Sequence, residues 1–398
     1  MKLTVPTSWN DHLIEEINTI NNDPKTKLAV HEIYGTLQST IVGGGRPSTI
    51  IPYVSLDKAE NHINLAHKKG LEFNFLMNAI CMGNREFIPE YHSRILSTLG
   101  WLNDIGVDTI TVTIPYLMEI IKKQFPKIKI CVSVTATAGT VQEASFFSDD
   151  LKVDRINIHF MANRDFTIID ALVKAVKCDL EVLANDPCLL GCPYREYHQT
   201  IFAHASQSSS ADSPTTVIDY PGIKCATKRI QNRGEILKSP WIRPEDTVYW
   251  ENAGIDFVKL AGREKPTEWI TTCIRAYATR DFDGNIYDYV EKSGLRAPEY
   301  EAFLKEASNM EPLRFYIDNK SLDGFIEYFV KEKPRCDLGC NIIGCHHCYE
   351  WAKKTVRVNE TLAKDHLDKL QFVLNRLIDS SAFFDNAVVE TIKAKQNN

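Results

Sequence analysis

The chain has 398 residues, 44% of them hydrophobic and 25% charged, the composition of an ordinary globular protein with room for one large core and an appended module. Its formal net charge of −6, without any dense Lys/Arg block, gives no electrostatic footprint for nucleic acid; an RNA partner is compatible only through a local basic channel. The N-terminus lacks the apolar core of a signal peptide, and no apolar run reaches the roughly 18 residues of a membrane span, which predicts a cytoplasmic protein without a membrane partner.

From about residue 27 to 275, short β-rich apolar runs alternate with amphipathic stretches. In chain order the predicted strands are Leu28–Tyr34, Thr49–Tyr53 (weakened by Pro52), Leu71–Asn78 and Thr109–Thr113, then Ile128–Ser133, Arg155–His159, Leu180–Asn185 and Phe257–Ala261. Helical periodicity falls on Ser55–Lys69, Pro89–Leu102 and Tyr116–Lys122, and Gly106 and Gly254 end helices just before strands. Repeated βα units without a Gly-x-Gly-x-x-Gly fingerprint predict an α/β fold, a TIM-like (β/α)8 barrel over residues 1–278. Residues 279–398 read as a smaller, mostly helical, cysteine-rich module. It has one strand at Leu313–Asn319, helices at Trp351–Lys364 and Asp365–Ser380, and a frayed Lys393–Asn398 end.

Seven of the eleven cysteines fall in two compact groups. In a reducing compartment, clustered cysteines are ligands or catalysts rather than disulfides. The first group is Cys188 and Cys192 with Cys225; the second is Cys336, Cys340, Cys345 and Cys348. Thiolate sulfur favours zinc, copper(I) or iron–sulfur clusters. Barrel sites gather at the C-terminal ends of strands. Cys188 and Cys192 follow one such end, Cys81 follows another, and Cys225 is placed on the loop before the last strand, so all four are expected at one mouth. For the C-terminal group, a second [4Fe–4S] cluster, a structural zinc and sharing between the two groups all remain open, with His346 and His347 orienting the thiolates. Cys131, Cys178 and Cys273 read as core.

Polar residues at strand ends are the candidates for chemistry. Glu32 and Tyr34 leave the strand that begins at Leu28. Arg46 follows the triple glycine Gly43–Gly45, and Arg263 follows the last strand. Arginine forks suit carboxylates, so these two are candidates for holding a small anionic substrate. His198 and His204, beside the first cysteine group, are acid–base candidates, and Gln207–Ser213 reads as a lid. No Gly-x-Ser-x-Gly elbow and no His-Glu-x-x-His motif occurs.

Several segments in order resemble peptidase family U32, sometimes called collagenase-like. They are Glu32-Ile-Tyr34-Gly35, Asn78-Ala-Ile-Cys81, Thr113-Ile-Pro-Tyr116, Glu181–Asn185 and Asn252–Arg263. The resemblance covers roughly residues 27 to 280. It implies a TIM-like barrel with a [4Fe–4S] cluster near its mouth and an oxygen-independent hydroxylation of RNA bases or of the ring of a quinone precursor, with prephenate as an oxygen source; for this chain a small molecule, RNA or a peptide is the expected substrate. It makes Asn78 a substrate-side residue and Cys188, Cys192 and Cys225 cluster ligands. The chain departs from that pattern in two ways: Cys188 and Cys192 are more closely spaced, and Ile242 stands where the fourth cysteine would be. Cys81, a histidine such as His198 or His204, or an open iron site are the alternatives. A peptide- or protein-maturation factor, whose C-terminal cluster relays electrons or docks a partner protein, is the second expectation.

Overall fold

Eight short parallel strands close on themselves in sequence order, β1 Lys2–Pro6, β2 Val30–Gly35, β3 Glu72–Met77, β4 Thr109–Val112, β5 Lys129–Val132, β6 Arg155–Asn157, β7 Asp179–Leu183 and β8 Phe257–Lys259. This computed structural model describes residues 1–207, 219–290, 311, 313–385 and 389–390. β1 pairs with β2 and with β8, so no strand edge is left open. The helices between strands are α1 Asp11–Asn21, α2 Leu56–Lys68, α3 Pro89–Asp104, α4 Pro115–Gln124, α5 Val141–Ser145 and α6 Phe166–Ala175. Between β7 and β8 lie four more, α7 Arg195–His204, α8 Tyr220–Gln231, α9 Gly234–Lys238 and α10 Thr247–Asn252, and α11 Thr267–Thr279 follows β8. The architecture is therefore a TIM-like barrel followed by a largely helical C-terminal region. Among the described residues no helix is long and apolar enough to cross a membrane.

One predicted strand is corrected. Thr49–Tyr53 is no strand: Ser48–Ile50 makes a single 3-10 turn and Tyr53 is 78% exposed. Pro52 brings no N–H to a ladder, and of the apolar pair only Ile51 is buried to seat the loop, while Ile50 is exposed. The eighth strand is Lys2–Pro6, five residues whose last four are buried between β2 and β8.

The strands are covered on both sides, as parallel sheets require. Outward side chains such as Ile33, Phe73, Ile110, Ile130 and Val258 pack under the helices in one continuous core. The barrel interior is polar. Arg155 Nη1 donates to Glu32 Oε1 (2.9 Å) and Glu181 Oε2 (3.3 Å), and its guanidinium lies 3.6 Å from the Phe257 ring centroid. Asn74 and Asn157 donate to Glu32 and Glu181 at 3.1 and 2.7 Å. Buried ions are tolerated when paired and hydrogen-bonded, and here the pairs span β2, β6 and β7.

In the C-terminal region the expected strand Leu313–Asn319 is reduced to single antiparallel bridges, Tyr316 with Arg357 and Asp318 with Asn285. The two helices run His347–Thr355 and Glu360–Ile378, with the break at Val356–Asn359 rather than at Lys364. Asn359 sets that break by accepting from Leu362 N and capping the second helix. The region docks on α9, where Tyr349 lies against Gly234; a Cβ there would come within 2.0 Å of the ring. Lys393–Asn398 lies outside the described residues.

Candidate active site

At the C-terminal ends of the strands a cavity of about 80 Å3 opens. Four cationic side chains reach it: Arg46 from the β2–α2 loop, Arg195 from α7, Lys259 from β8 and Arg263 just beyond. Asp186 and Glu264 are the carboxylates among its lining, and Tyr34, Asn78, Thr111, Ser133 and Asn157 supply neutral polar groups. Positive charge thus exceeds negative at the mouth, as capture of a small anion requires.

Local structure explains these positions. Gly43 and Gly45 adopt positive φ (96° and 68°), turning the loop so that Gly45 sits against Asn78 and Arg46 enters the mouth. Arg263 donates to Gly44 O, tying the loop after β8 to that glycine turn. Lys259 lies 4.3 Å from the Tyr34 ring centroid and 3.8 Å from Glu181, so it joins the cavity to the interior network. Tyr34 OH donates to Leu260 O at 2.7 Å. Ser133 Oγ is hydrogen-bonded to Thr135 Oγ1 (2.9 Å) and Asn78 Nδ2 (3.4 Å), and Thr135 Oγ1 to Thr113 Oγ1 (2.7 Å). No imidazole, carboxylate or amine appears among those partners, so this hydroxyl chain has no base to activate a nucleophile.

Of the sequence-derived candidates, Tyr34, Asn78, Arg46 and Arg263 line the cavity. Glu32 lies one layer below, fully buried in the pairing with Arg155. His198 and His204 do not line it; on the same helix Arg195 and Gln199 do. His198 Nε2 lies 2.9 Å from Asp219 Oδ1, an ion-pair distance without hydrogen-bond alignment, and so ties α7 to the start of α8. Residues 208–213 of the expected lid lie outside the described residues.

The first thiol group sits beside the cavity. Cys225 is on α8, not on a loop: Asp219 accepts from Gly222 N at 2.8 Å and Pro221 fills the first turn, so this segment starts a helix. Cys188 follows Asp186, whose Oδ1 accepts from Cys188 N at 3.1 Å. Burial, reinforced by Asp186, pushes the Cys188 thiol up to about 12; burial also raises Cys225, with Cys192 nearby adding to it and Arg229 opposing. Cys188 and Cys225 are neighbours of each other and of Asp186, and Cys192 is a neighbour of Cys225. Cys81 is not among their principal charged neighbours: its sulfur accepts from Gly83 N (3.2 Å) and its carbonyl from Gln207 Nε2 (2.7 Å). Ile242 is buried, its amide bonded to Ala184 O, and offers only hydrocarbon.

Arg195, which sequence reasoning passed over, connects the two features. It is 5% exposed and stacks on Phe160 at 4.7 Å. Neither terminal nitrogen meets a partner in strict hydrogen-bond alignment, but the Cys188 side chain lies within hydrogen-bonding reach of the guanidinium. Burial acts to lower its pKa, yet the pKa is raised because Cys188 and Asp186 lie beside it. A buried guanidinium of this kind needs negative charge nearby, which the Asp186 and Glu196 carboxylates supply. Among the described residues no three His, Cys, Asp or Glu side chains stand in ready metal-holding geometry. The soft donors on this side of the barrel are the thiols of Cys188, Cys192 and Cys225, with buried Arg195 beside Cys188 and buried Arg229 beside Cys225 and Cys188.

The profile of peptidase family U32 matches residues 53–185. The uncharacterized protease MJ1657 of Methanocaldococcus jannaschii is 31% identical over 347 residues, covering 87% of this chain and 95% of that protein. The structure of the U32 peptidase Mk0906 superposes with a TM-score of 0.49 at 21% identity, over 67% of this chain and 94% of that one.

Proposed function

The chain belongs to peptidase family U32, and from that premise we propose an iron–sulfur-dependent enzyme that modifies a small anionic substrate at the barrel mouth by oxygen-independent hydroxylation, a donor hydroxyl replacing a hydrogen that leaves as a proton and two electrons to an external electron-acceptor protein. The observation that carries this reading is Arg195, which borders the cation-lined cavity on one side and Cys188 on the other. Cys188, Cys192 and Cys225 would hold a [4Fe–4S] cluster, with Asp186 as the neighbouring oxygen donor. Such a cluster supplies Lewis-acid or one-electron chemistry when bound.

The chain's own residues do the rest. Arg46 and Arg263 bind carboxylates through their forks, and a dicarboxylate such as prephenate matches two of them together. Lys259, fixed between Tyr34 and Glu181, adds a point charge deeper in the mouth. Asn78, Ser133 and Asn157 orient neutral groups of the substrate. Hydrolysis of a peptide is not favoured, because the Ser133 hydroxyl chain lacks a base.

A second reading, a peptide-maturation factor, draws support from a groove of about 500 Å3 between α8 and the helix Glu360–Ile378, which reaches Cys192 and Cys225 from the side of the C-terminal region. Calorimetric titration of the full chain with prephenate tests the first reading. Binding that is weakened in Arg46→Ala and Arg263→Ala supports it. No binding, or binding indifferent to both substitutions, contradicts it.

A further inference from the structure

Arg164 is an unusual cation. It follows the 3-10 turn Phe160–Ala162, is 7% exposed, and is surrounded by the rings of Trp241, Phe325 and Phe329 at 5.2 to 5.4 Å. Its terminal nitrogens donate to Leu237 O and Trp241 O, both at 2.6 Å, and its Nε has no partner. Among the described residues no carboxylate pairs with it: Asp246, within electrostatic reach, is held by Arg243 at 2.9 Å. A buried guanidinium satisfied only by neutral carbonyls is expensive unless a negative charge stands near.

The groups in that position are thiols. Cys348 and Cys336 lie within electrostatic reach of Arg164, and Cys340 and Cys345 within reach of both; backbone bonds draw the segment together, Cys345 N–H donating to Cys340 O at 3.0 Å and Gly339 N–H to Cys336 O at 3.1 Å. The surrounding packing converges on the same place. His347 stacks on Phe325 and Tyr328 and is bonded through Nε2 to Phe325 O at 2.9 Å, so it braces the site rather than ligating. Tyr328 OH donates to Cys345 Sγ at 3.4 Å. Gly339 and Gly344, at φ 85° and 64°, turn the chain around the short helix Cys340–Ile343 that separates the middle cysteines.

We propose that Cys336, Cys340, Cys345 and Cys348 form a tetrathiolate metal centre, independent of the barrel thiols, that fastens the C-terminal region to the barrel with Arg164 as its buried counter-charge. Its metal is a thiophilic ion, zinc or the iron of an iron–sulfur cluster. Binding releases the four thiol protons to solvent, and the thiolates leave net negative charge facing the guanidinium.

The test uses the full chain, purified anaerobically. Zinc, iron and sulfide are measured in the wild type, in Cys340→Ser and in Cys188→Ala/Cys192→Ala. In parallel, native wild-type protein is alkylated before and after chelation, and modified cysteines are located by mass spectrometry. The proposal predicts metal lost in Cys340→Ser but retained, above any barrel contribution, in the barrel variant. It also predicts that half-buried Cys340 and Cys345 resist alkylation until chelator removes that metal. Zinc without sulfide identifies the first source, and iron with equimolar sulfide the second. Immediate alkylation of Cys340 and Cys345 in untreated protein overturns the proposal, whether or not any variant folds. So does a metal content unchanged by Cys340→Ser. Neither result bears on the barrel thiols, whose occupancy is read from the other variant.

Discussion

The guanidinium of Arg195 enters the mouth cavity while lying beside the Cys188 thiol, so one buried side chain borders both the anion pocket and the first cysteine group. Arg195→Gln keeps a polar, hydrogen-bonding end on a shorter side chain and loses the charge. A charge-assisted hydrogen bond contributes about 1.5–3 kcal/mol, so affinity for a dicarboxylate ligand is expected to fall about ten- to hundredfold. Calorimetry on variant and wild type, with circular dichroism to verify the fold, measures it; unchanged affinity would remove Arg195 from the pocket.

Arg155 carries the interior of the barrel. Removing its charge with Arg155→Met leaves Glu32 and Glu181 buried without their shared partner. Breaking a buried pair from one side costs about 3–5 kcal/mol, and that loss should appear as a lower urea midpoint with an unchanged slope. The double variant Glu32→Gln/Arg155→Met should lose less than the sum of the singles, since each removes the other's penalty.

Most of this barrel was legible in the sequence because seven strands are short apolar runs between amphipathic helices, two of which end at Gly106 and Gly254. Lys2–Pro6 was not, since five residues ahead of the first helix carry no repeat to register against. Thr49–Tyr53 imitated a strand through Ile50-Ile51 alone. The cysteine groups and the arginines at the ends of the glycine turn and the last strand could be read from spacing. Burial of charge could not: Arg155, Glu181, Arg164 and Arg195 look like surface residues in one dimension. Lys259 did leave a trace, as a lone charge inside Phe257–Ala261. In α8 the helix start was written in Asp219, Pro221 and Gly222, signals that place Cys225 on a helix.

His62 gives a pH dependence of stability. Its ring is buried, with Nδ1 2.6 Å from Asp11 Oδ1 and Nε2 2.8 Å from Thr7 Oγ1. Burial lowers its pKa below 6.5, partly opposed by Asp11. The unfolded chain therefore binds the proton first as pH falls. The stabilisation from neutral His62 is fully present above about pH 6.5 and is lost as pH drops toward the folded value. The stability difference between wild type and His62→Gln should shrink below that pH in melting curves; a constant difference would refute the assignment.

Gly234 admits the ring of Tyr349 at the docking face of the C-terminal region. Gly234→Ala forces that ring aside, and overpacking of this kind costs about 1–3 kcal/mol. Limited proteolysis should release the C-terminal region faster in this variant, and adding Tyr349→Leu should restore part of the resistance. Equal cleavage rates in variant and wild type would show that the contact does not hold the region.

Iron and acid-labile sulfide in anaerobically purified barrel variants decide whether a thiolate-held cluster stands beside the anion pocket. The account predicts that Cys188→Ala/Cys192→Ala loses about four irons and about four sulfides relative to the wild type. It further predicts that Arg195→Gln holds those irons less firmly against chelation. A folded wild type whose iron content is unchanged by the Cys188/Cys192 substitution, or that carries no iron at all, would contradict it.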